Sequence, residues 1–429
     1  MNPKKKAENK NNGPMKEIDI SNTTWLNRNV IGMGITSFLS DACHEMSTAV
    51  LPGFLAVIGA PPSTLGVIEG ISDGVSSFIK LLGGWISDRL GRRKTITVLG
   101  YLTTGVSQSL FAFAATWHLV LLGRVVGWFG RGFRGPVRDA MLADSIDPAV
   151  RGKAFGFHRF GDTLGAVIGP LLGVWLLEVW QPFAGADPSQ PFRKIFLITL
   201  IPGILSAIMF GVMIVEKRGA PNHQLRFWKT VRSLPAGFRR YLISVGIFGL
   251  GDFAPALLIL AATQLLTPGY GIIRAAQLAG LMYVVRNITY ALASFPIGAL
   301  SDKISRTALL ASGYVLGALT IGGFAIAFLF GWTSVAYLFF LFALAGVFIA
   351  AEDTLESAIT ADFISSETRG IGMGVLGTVN GIGDFGASIA VGFLWTAVSP
   401  VAGFVFAGVF MLGGAFALFG VNNPKIQSN

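Results

Sequence analysis

Long apolar stretches alternate with short polar breaks along nearly the whole chain. About 20 apolar residues cross the hydrocarbon core of a bilayer. Stretches of that order recur near 30–57, 63–87, 95–115, 117–142, 151–178, 194–215, 240–266, 274–300, 307–329, 331–359, 369–396 and 400–421. They predict twelve transmembrane spans, each helical, because a segment in lipid must satisfy its backbone polar groups within itself. Sustained polar sequence occurs only at both ends and once in the middle. The predicted organisation is a cytoplasmic tail (1–28), a six-helix bundle (29–215), a cytoplasmic linker (216–239), a second six-helix bundle (240–421) and a second tail (422–429).

Composition agrees with this reading. The 429 residues are 52% hydrophobic and only 13% charged, and they include 55 glycines, a combination foreign to soluble domains. Glycine is frequent in membrane helices because it lets backbones approach closely. The net charge of +10 would suit a nucleic-acid binder, but its distribution does not. Basic residues gather in the N-terminal tail (Lys4, Lys5, Lys6), in the break after the second span, and in the linker (Lys217, Arg218, Arg226, Lys229, Arg232). The alternate breaks near 58–62, 266–273 and 397–400 carry no charge. That asymmetry predicts cytoplasmic termini and a cytoplasmic linker, with Arg193 and Lys194 as mild exceptions. The polar tail predicts no cleavable signal, and a single cysteine, Cys43, permits no intrachain disulfide.

The two halves repeat one another. Asp144 and Arg151-Gly152 recur as Asp362 and Arg369-Gly370, each 218 residues later (362 − 144, 369 − 151), and Gly156 and Gly165 map onto Gly374 and Gly383. Leu39-Ser40-Asp41 is echoed by Leu250-Gly251-Asp252. A charged hairpin also appears twice. Gly84-Trp85-Ile86-Ser87-Asp88-Arg89-Leu90-Gly91-Arg92-Arg93-Lys94 follows the second span, and a degraded copy, Gly298-Ala299-Leu300-Ser301-Asp302-Lys303-Ile304-Ser305-Arg306, follows the eighth. The duplicated turn resembles the loop after the second and eighth helices of the major facilitator superfamily.

That resemblance implies an all-α membrane protein of two pseudo-symmetric six-helix bundles, with a solute cavity lined by spans one, four, seven and ten near the bilayer midplane. It also implies gating residues. Asp88 would cap the start of span eleven near Thr368–Gly370, with Arg89 and Arg92 beside it, and Arg92 would pair with Asp144 or Asp139. Asp302 would act likewise at 150–152. A purely topological anchor is the alternative. Ser40-Asp41 with Glu45-Met46, then Gly66-Val67-Ile68-Glu69-Gly70, then Arg131-Gly132-Phe133-Arg134-Gly135-Pro136-Val137-Arg138-Asp139-Ala140 resemble one bacterial permease branch.

Ionisable groups inside spans are expensive, so each marks a candidate site. Asp41, His44 and Glu45 share one face of span one at i, i+3, i+4. Three readings stand for this cluster: a proton relay, a hydrated cavity wall, or ligation of a transition metal with Cys43 and Met46 nearby. Glu69 and Asp73 of span two and Asp252 of span seven join it as cavity or coupling candidates. Span four carries Arg124, Arg131, Arg134 and Arg138 on one stripe, and span ten carries Glu352, Asp353 and Glu356. Arg124 and Arg131, together with Arg286 of span eight, are candidates for solute binding. Arg134 and Arg138 are expected to pair with Glu352 and Glu356 as a gate, since the 218-residue shift maps them together. A purely structural ladder of ion pairs is the alternative. Arg124-Val125-Val126-Gly127 resembles the family's helix-four motif, whose arginine is linked to proton coupling. In span five, Gly165, Gly169, Pro170 and Gly173 resemble the family's antiporter-associated motif, although Val174 replaces its last glycine. They also form a plain packing groove. His158, Arg159 and Asp162 are read as a local pairing network.

The expected function is secondary transport of a small, anionic solute across the bacterial inner membrane, proton-coupled and outward, by a monomer that needs no cofactor, resident metal or nucleic acid. Uptake by symport, iron or siderophore handling, and a non-transporting receptor are the alternatives. No catalytic set suggests an enzyme.

Overall fold

The structure, a computed structural model, describes residues 26–90, 93–146, 151–183, 185, 187–216, 234–301, 303–364 and 369–421. Thirteen α-helices order these residues: α1 (Arg28–Val57), α2 (Pro62–Leu90), α3 (Arg93–Ser109), α4 (Trp117–Asp144), α5 (Arg151–Trp180), α6 (Gln190–Met213), α7 (Ala236–Gly249), α8 (Pro255–Tyr270), α9 (Ile272–Ser301), α10 (Arg306–Phe330), α11 (Val335–Phe363), α12 (Arg369–Ala397) and α13 (Pro400–Leu418). The expected seventh span is two helices rather than one, broken at 250–254. Gly251 sits there against the Ala407 carbonyl, closer than any side chain would allow. Pro255 then restarts the helix at its first turn, where a missing N–H costs nothing.

Seven helices combine the length and apolarity of a membrane crossing. The others are either short, as α7 and α8, or carry polar and glycine-rich sequence, as α1, α2, α4 and α12. The second group lines the interior. Exposed Ile201, Val212, Leu319, Phe393 and Phe416 cover the outside with hydrocarbon, as lipid requires. Inside, hydroxyls bond back to their own helices, for example Thr48 Oγ1 to the His44 carbonyl at 3.0 Å and Ser72 Oγ to the Ile68 carbonyl at 2.6 Å. Helix ends are capped by short polar side chains: Asn27, Ser305, Ser334 and Ser399 each accept from an N–H of the first turn. At Gly331 α10 ends in the left-handed region, with φ 65°, which glycine enters freely.

Each half is stitched by close helix pairs. In the first, α1 lies along α5 and α6, α2 along α4, and α3 along α4 and α6. In the second, α9 lies along α11, α10 along α13, and α12 along α7 and α13. Across the halves, α2 meets α12 and α5 meets α9. The most extensive pairing is the parallel α1–α5 seam, where backbone meets backbone. A Cβ added at Gly165 would stand 2.5 Å from the Phe38 carbonyl oxygen, and one at Gly169 2.6 Å from that of Ala42. Gly161 and Gly173 continue the seam against Gly34 and Met46. The groove expected from span five is therefore filled by α1. The repeat places Gly383 where Gly165 stands, and Gly383 does pack on the backbone of Gly249 in the corresponding α7–α12 contact.

Candidate functional site

Between the halves lies a cavity of about 230 Å³. Its walls come from α1, α2 and α4 on one side and from the 252–258 segment, α9, α11 and α12 on the other. Spans two, eight and eleven thus contribute beyond the four expected. His44, Glu45, Glu69, Asp73, Arg124, Arg131, Asp252 and Arg286 all line it. Asp41 opens instead onto an adjoining cavity of about 250 Å³, reached past Glu45, Arg131, Tyr283 and Arg286, which border both spaces.

The four arginines of α4 share a stripe but not a role. Arg124 is 1% exposed and donates to Glu69 Oε2 from Nη2 at 3.1 Å and to Thr48 Oγ1 at 3.1 Å, a pair sealed into the wall. Arg131 reaches Asp41 Oδ1 at 3.2 Å, with its guanidinium 5.3 Å from the Trp128 ring centre. Arg134 donates to Ser40 Oγ at 2.7 Å and lies 3.9 Å over the Tyr101 ring. Arg138 pairs with its neighbour Asp139 at 2.9 Å.

The expected pairs of Arg134 and Arg138 with Glu352 and Glu356 are not formed in this structure. Glu356 accepts from the Tyr314 hydroxyl and from Asn380 Nδ2 at 2.7 Å, and Glu352 keeps Oε2 buried without a hydrogen bond. The cause lies in the packing: α4 rests on α2 and α3 and α11 on α9 and α10, so Arg134, Arg138 and Glu356 find partners within their own half.

Besides the packing of α2 on α12, specific polar contacts cross the halves among the described residues. Tyr283 donates to Glu45 Oε2 at 2.8 Å, Asn287 Nδ2 to the Ala166 carbonyl at 2.8 Å, and Arg274 pairs with Glu178 at 2.8 Å. At the end away from the hairpins, Thr396 Oγ1 accepts from Ser63 N at 2.9 Å, and Gly66 lies directly on the Ser388 backbone. The two halves are therefore closed on one another at that end. Arg286 donates to the Asn287 amide oxygen at 3.0 Å and makes no ion pair among the described residues.

In the His158 network, Nε2 is hydrogen-bonded to Ser37 Oγ at 2.6 Å and Nδ1 stands 3.5 Å from Asp162, while Arg159 faces the second cavity. His44 packs edge-on to Trp128 with Nδ1 lacking a hydrogen bond, and Cys43 is buried against Gly203 of α6, away from the cavity. Among the described residues no cluster of three or more His, Cys, Asp or Glu is arranged to hold a metal ion. The hairpin gate lies largely beyond description: Arg92, Asp302 and Thr368 are outside the described residues, as are the side chains of Asp88, Arg89 and Asp144.

Sequence reasoning passed over Asp384 of α12 and Tyr283 of α9. Asp384 was findable by the rule that exposed the others, a carboxylate inside a span. Tyr283 carries no charge and gave no signal.

Two membrane-embedded halves that enclose a charged cavity, closed at one end, have the architecture of a transporter rather than an enzyme. Solved structures share it. A bacterial homologue of the human lysosomal transporter Spinster, inward-facing and occupied, superposes with a TM-score of 0.74 at 17% identity, over 93% of this chain and 97% of its own. The sequence profile of the Major Facilitator Superfamily matches residues 33–276 and 256–429, and the chain belongs to that family. An uncharacterised MFS-type transporter of Methanocaldococcus jannaschii is 30% identical over 403 residues, 93% of this chain and 96% of the relative. The quinolone resistance protein NorA of Staphylococcus aureus is 26% identical over 193 residues, 45% of this chain and 47% of NorA.

Proposed function

We propose that this secondary transporter exports a small solute by proton-coupled alternating access in a bacterial inner membrane. In this reading it acts as a monomer, with termini and hairpins in the cytoplasm, and the structure corresponds to a state open toward that side. The observation that carries the coupling is the bond from Tyr283 to Glu45 Oε2. One carboxylate of the first half is held by a hydroxyl of the second, at the border of both cavities and beside the Arg131–Asp41 pair. Gain or loss of a proton on Glu45 changes what binds the halves together, which is what a coupled transporter needs. The resistance function printed in NorA's name and the glycine seam of α5 favour export.

The test is transport in proteoliposomes. Glu45→Gln and Asp41→Asn should abolish accumulation driven by a pH gradient while labelled-solute exchange persists. Driven accumulation at the wild-type rate in both variants would remove α1 from coupling. Joint loss of exchange and accumulation would assign these residues to solute binding instead.

A further inference from the structure

The charges that line the main cavity do not balance. Of its three arginines, Arg124 is occupied by Glu69 and Thr48 and Arg131 by Asp41. Arg286 alone is left without a carboxylate partner among the described residues, its one hydrogen bond going to the neutral Asn287 amide. On the acidic side, Glu69 is consumed by Arg124 and Glu45 is held by Tyr283. Asp73 of α2, Asp252 of the helix break and Asp384 of α12 have no cation within ion-pair distance among the described residues. All three line the same cavity, so they form a common acidic region. Lys80 lies further along α2, outside the cavity lining. Trp128, Phe253, Tyr283 and Phe348 add aromatic wall to the same cavity.

The geometry points to a zwitterionic solute, with a carboxylate or other oxyanion on Arg286 and an ammonium group among Asp73, Asp252 and Asp384. This deepens the transport reading above and rests on it. A pure anion would leave the three carboxyl groups without a partner, to be neutralised only by protonation, and a pure cation would leave Arg286, which keeps its charge, without one. A zwitterion answers both. The planar guanidinium suits an oxyanion bidentately, and a cavity of about 230 Å³ requires a small solute.

The test uses the full chain in lipid nanodiscs with two matched sets of compounds that differ in their charged groups. One set is butyrate, γ-aminobutyrate, butylamine and butyramide; the other is phenylpropionate, phenylalanine, phenethylamine and phenylpropionamide. A ligand raises the unfolding temperature in proportion to its occupancy of the native state, so even weak members can be ranked at high concentration. In each set the amino acid should half-saturate the shift at a concentration roughly tenfold or more below its acid, amine and amide, the effect of one charged hydrogen-bonded contact. Arg286→Gln should erase the advantage of the amino acid over the amine, and Arg286→Lys should keep much of it. Asp73→Asn with Asp384→Asn should erase its advantage over the acid. The ranking within one variant does not depend on how much of it folds.

If the acid or the amine leads in wild type and the same compound is exchanged in counterflow, the zwitterion assignment is overturned and the transport reading stands. An unchanged ranking in Arg286→Gln overturns the assignment as well. If no compound shifts unfolding and none is exchanged, both fail together.

Discussion

Arg124 and Glu69 form a salt bridge with side chains 2% and 3% exposed. Removing one member leaves the other uncompensated, so Arg124→Gln should cost about 3–5 kcal/mol, seen as a large fall in unfolding temperature. The double variant with Glu69→Gln should regain a substantial part of it. If the two losses simply add, the pair is not the unit described. Tyr283→Phe removes one hydroxyl and leaves the ring over which Arg286 lies at 5.6 Å. It should leave stability within about 1 kcal/mol, the usual worth of one hydrogen bond, while altering the coupling of transport to the proton gradient. Wild-type coupling in Tyr283→Phe would count against the Glu45 bond. At this scale the sequence showed where the charges are, because an ionisable group in a span stands out. It did not show their partners. Four arginines on one stripe look alike, yet they bind a glutamate, an aspartate, a serine over a tyrosine ring, and the next residue in the chain.

Helices differ in how much the packing depends on a missing side chain. Gly165→Ala and Gly169→Ala should each destabilise the protein markedly, since the new Cβ meets carbonyl oxygens that cannot yield without separating α1 from α5. Gly322→Ala in α10 meets nothing within 4 Å and should be neutral or slightly stabilising by thermal unfolding. Equal behaviour of the three would mean the seam is not tight. The seam was legible as spaced glycines, though which helix fills it was not. The broken seventh span was also half legible, since Gly249, Gly251 and Pro255 all discourage a continuous helix there. Uniform apolarity hid them. For Arg138 and Glu356, reversing both charges at once should recover none of the activity each reversal loses, because each has its own partners. Clear recovery in the double variant would place that pair in the other transport state.

For the whole molecule, the hydropathy pattern and the duplicated hairpin were enough to indicate two related halves around a cavity. They were not enough to say which surfaces touch. Residues matched by an internal repeat sit at equal depth on opposite walls, separated by the width of the cavity, so the 218-residue shift identified counterparts and not contacts. One set of contacts lies at the end away from the hairpins. Ser63→Cys with Thr396→Cys, at positions bonded in this structure, should form a disulfide that holds that end shut. Transport should then stop and return on reduction, with Cys43 too buried to interfere. Undiminished transport by the cross-linked protein would show that this end need not open.

The α1–α5 seam has one more implication, which is mechanical. Interfaces made of side chains have play in them, because rotamers absorb a small push before the neighbouring helix moves. Where main chain rests on main chain there is nothing to take up the slack. In the proposed transport cycle, a displacement begun at His44 or Glu45 would be handed to α5 without backlash. The Asn287 amide bound to the Ala166 carbonyl of α5 then links that movement to α9 in the opposite half. The glycines are thus the stiff linkage of the machine, and the charges are the load it carries.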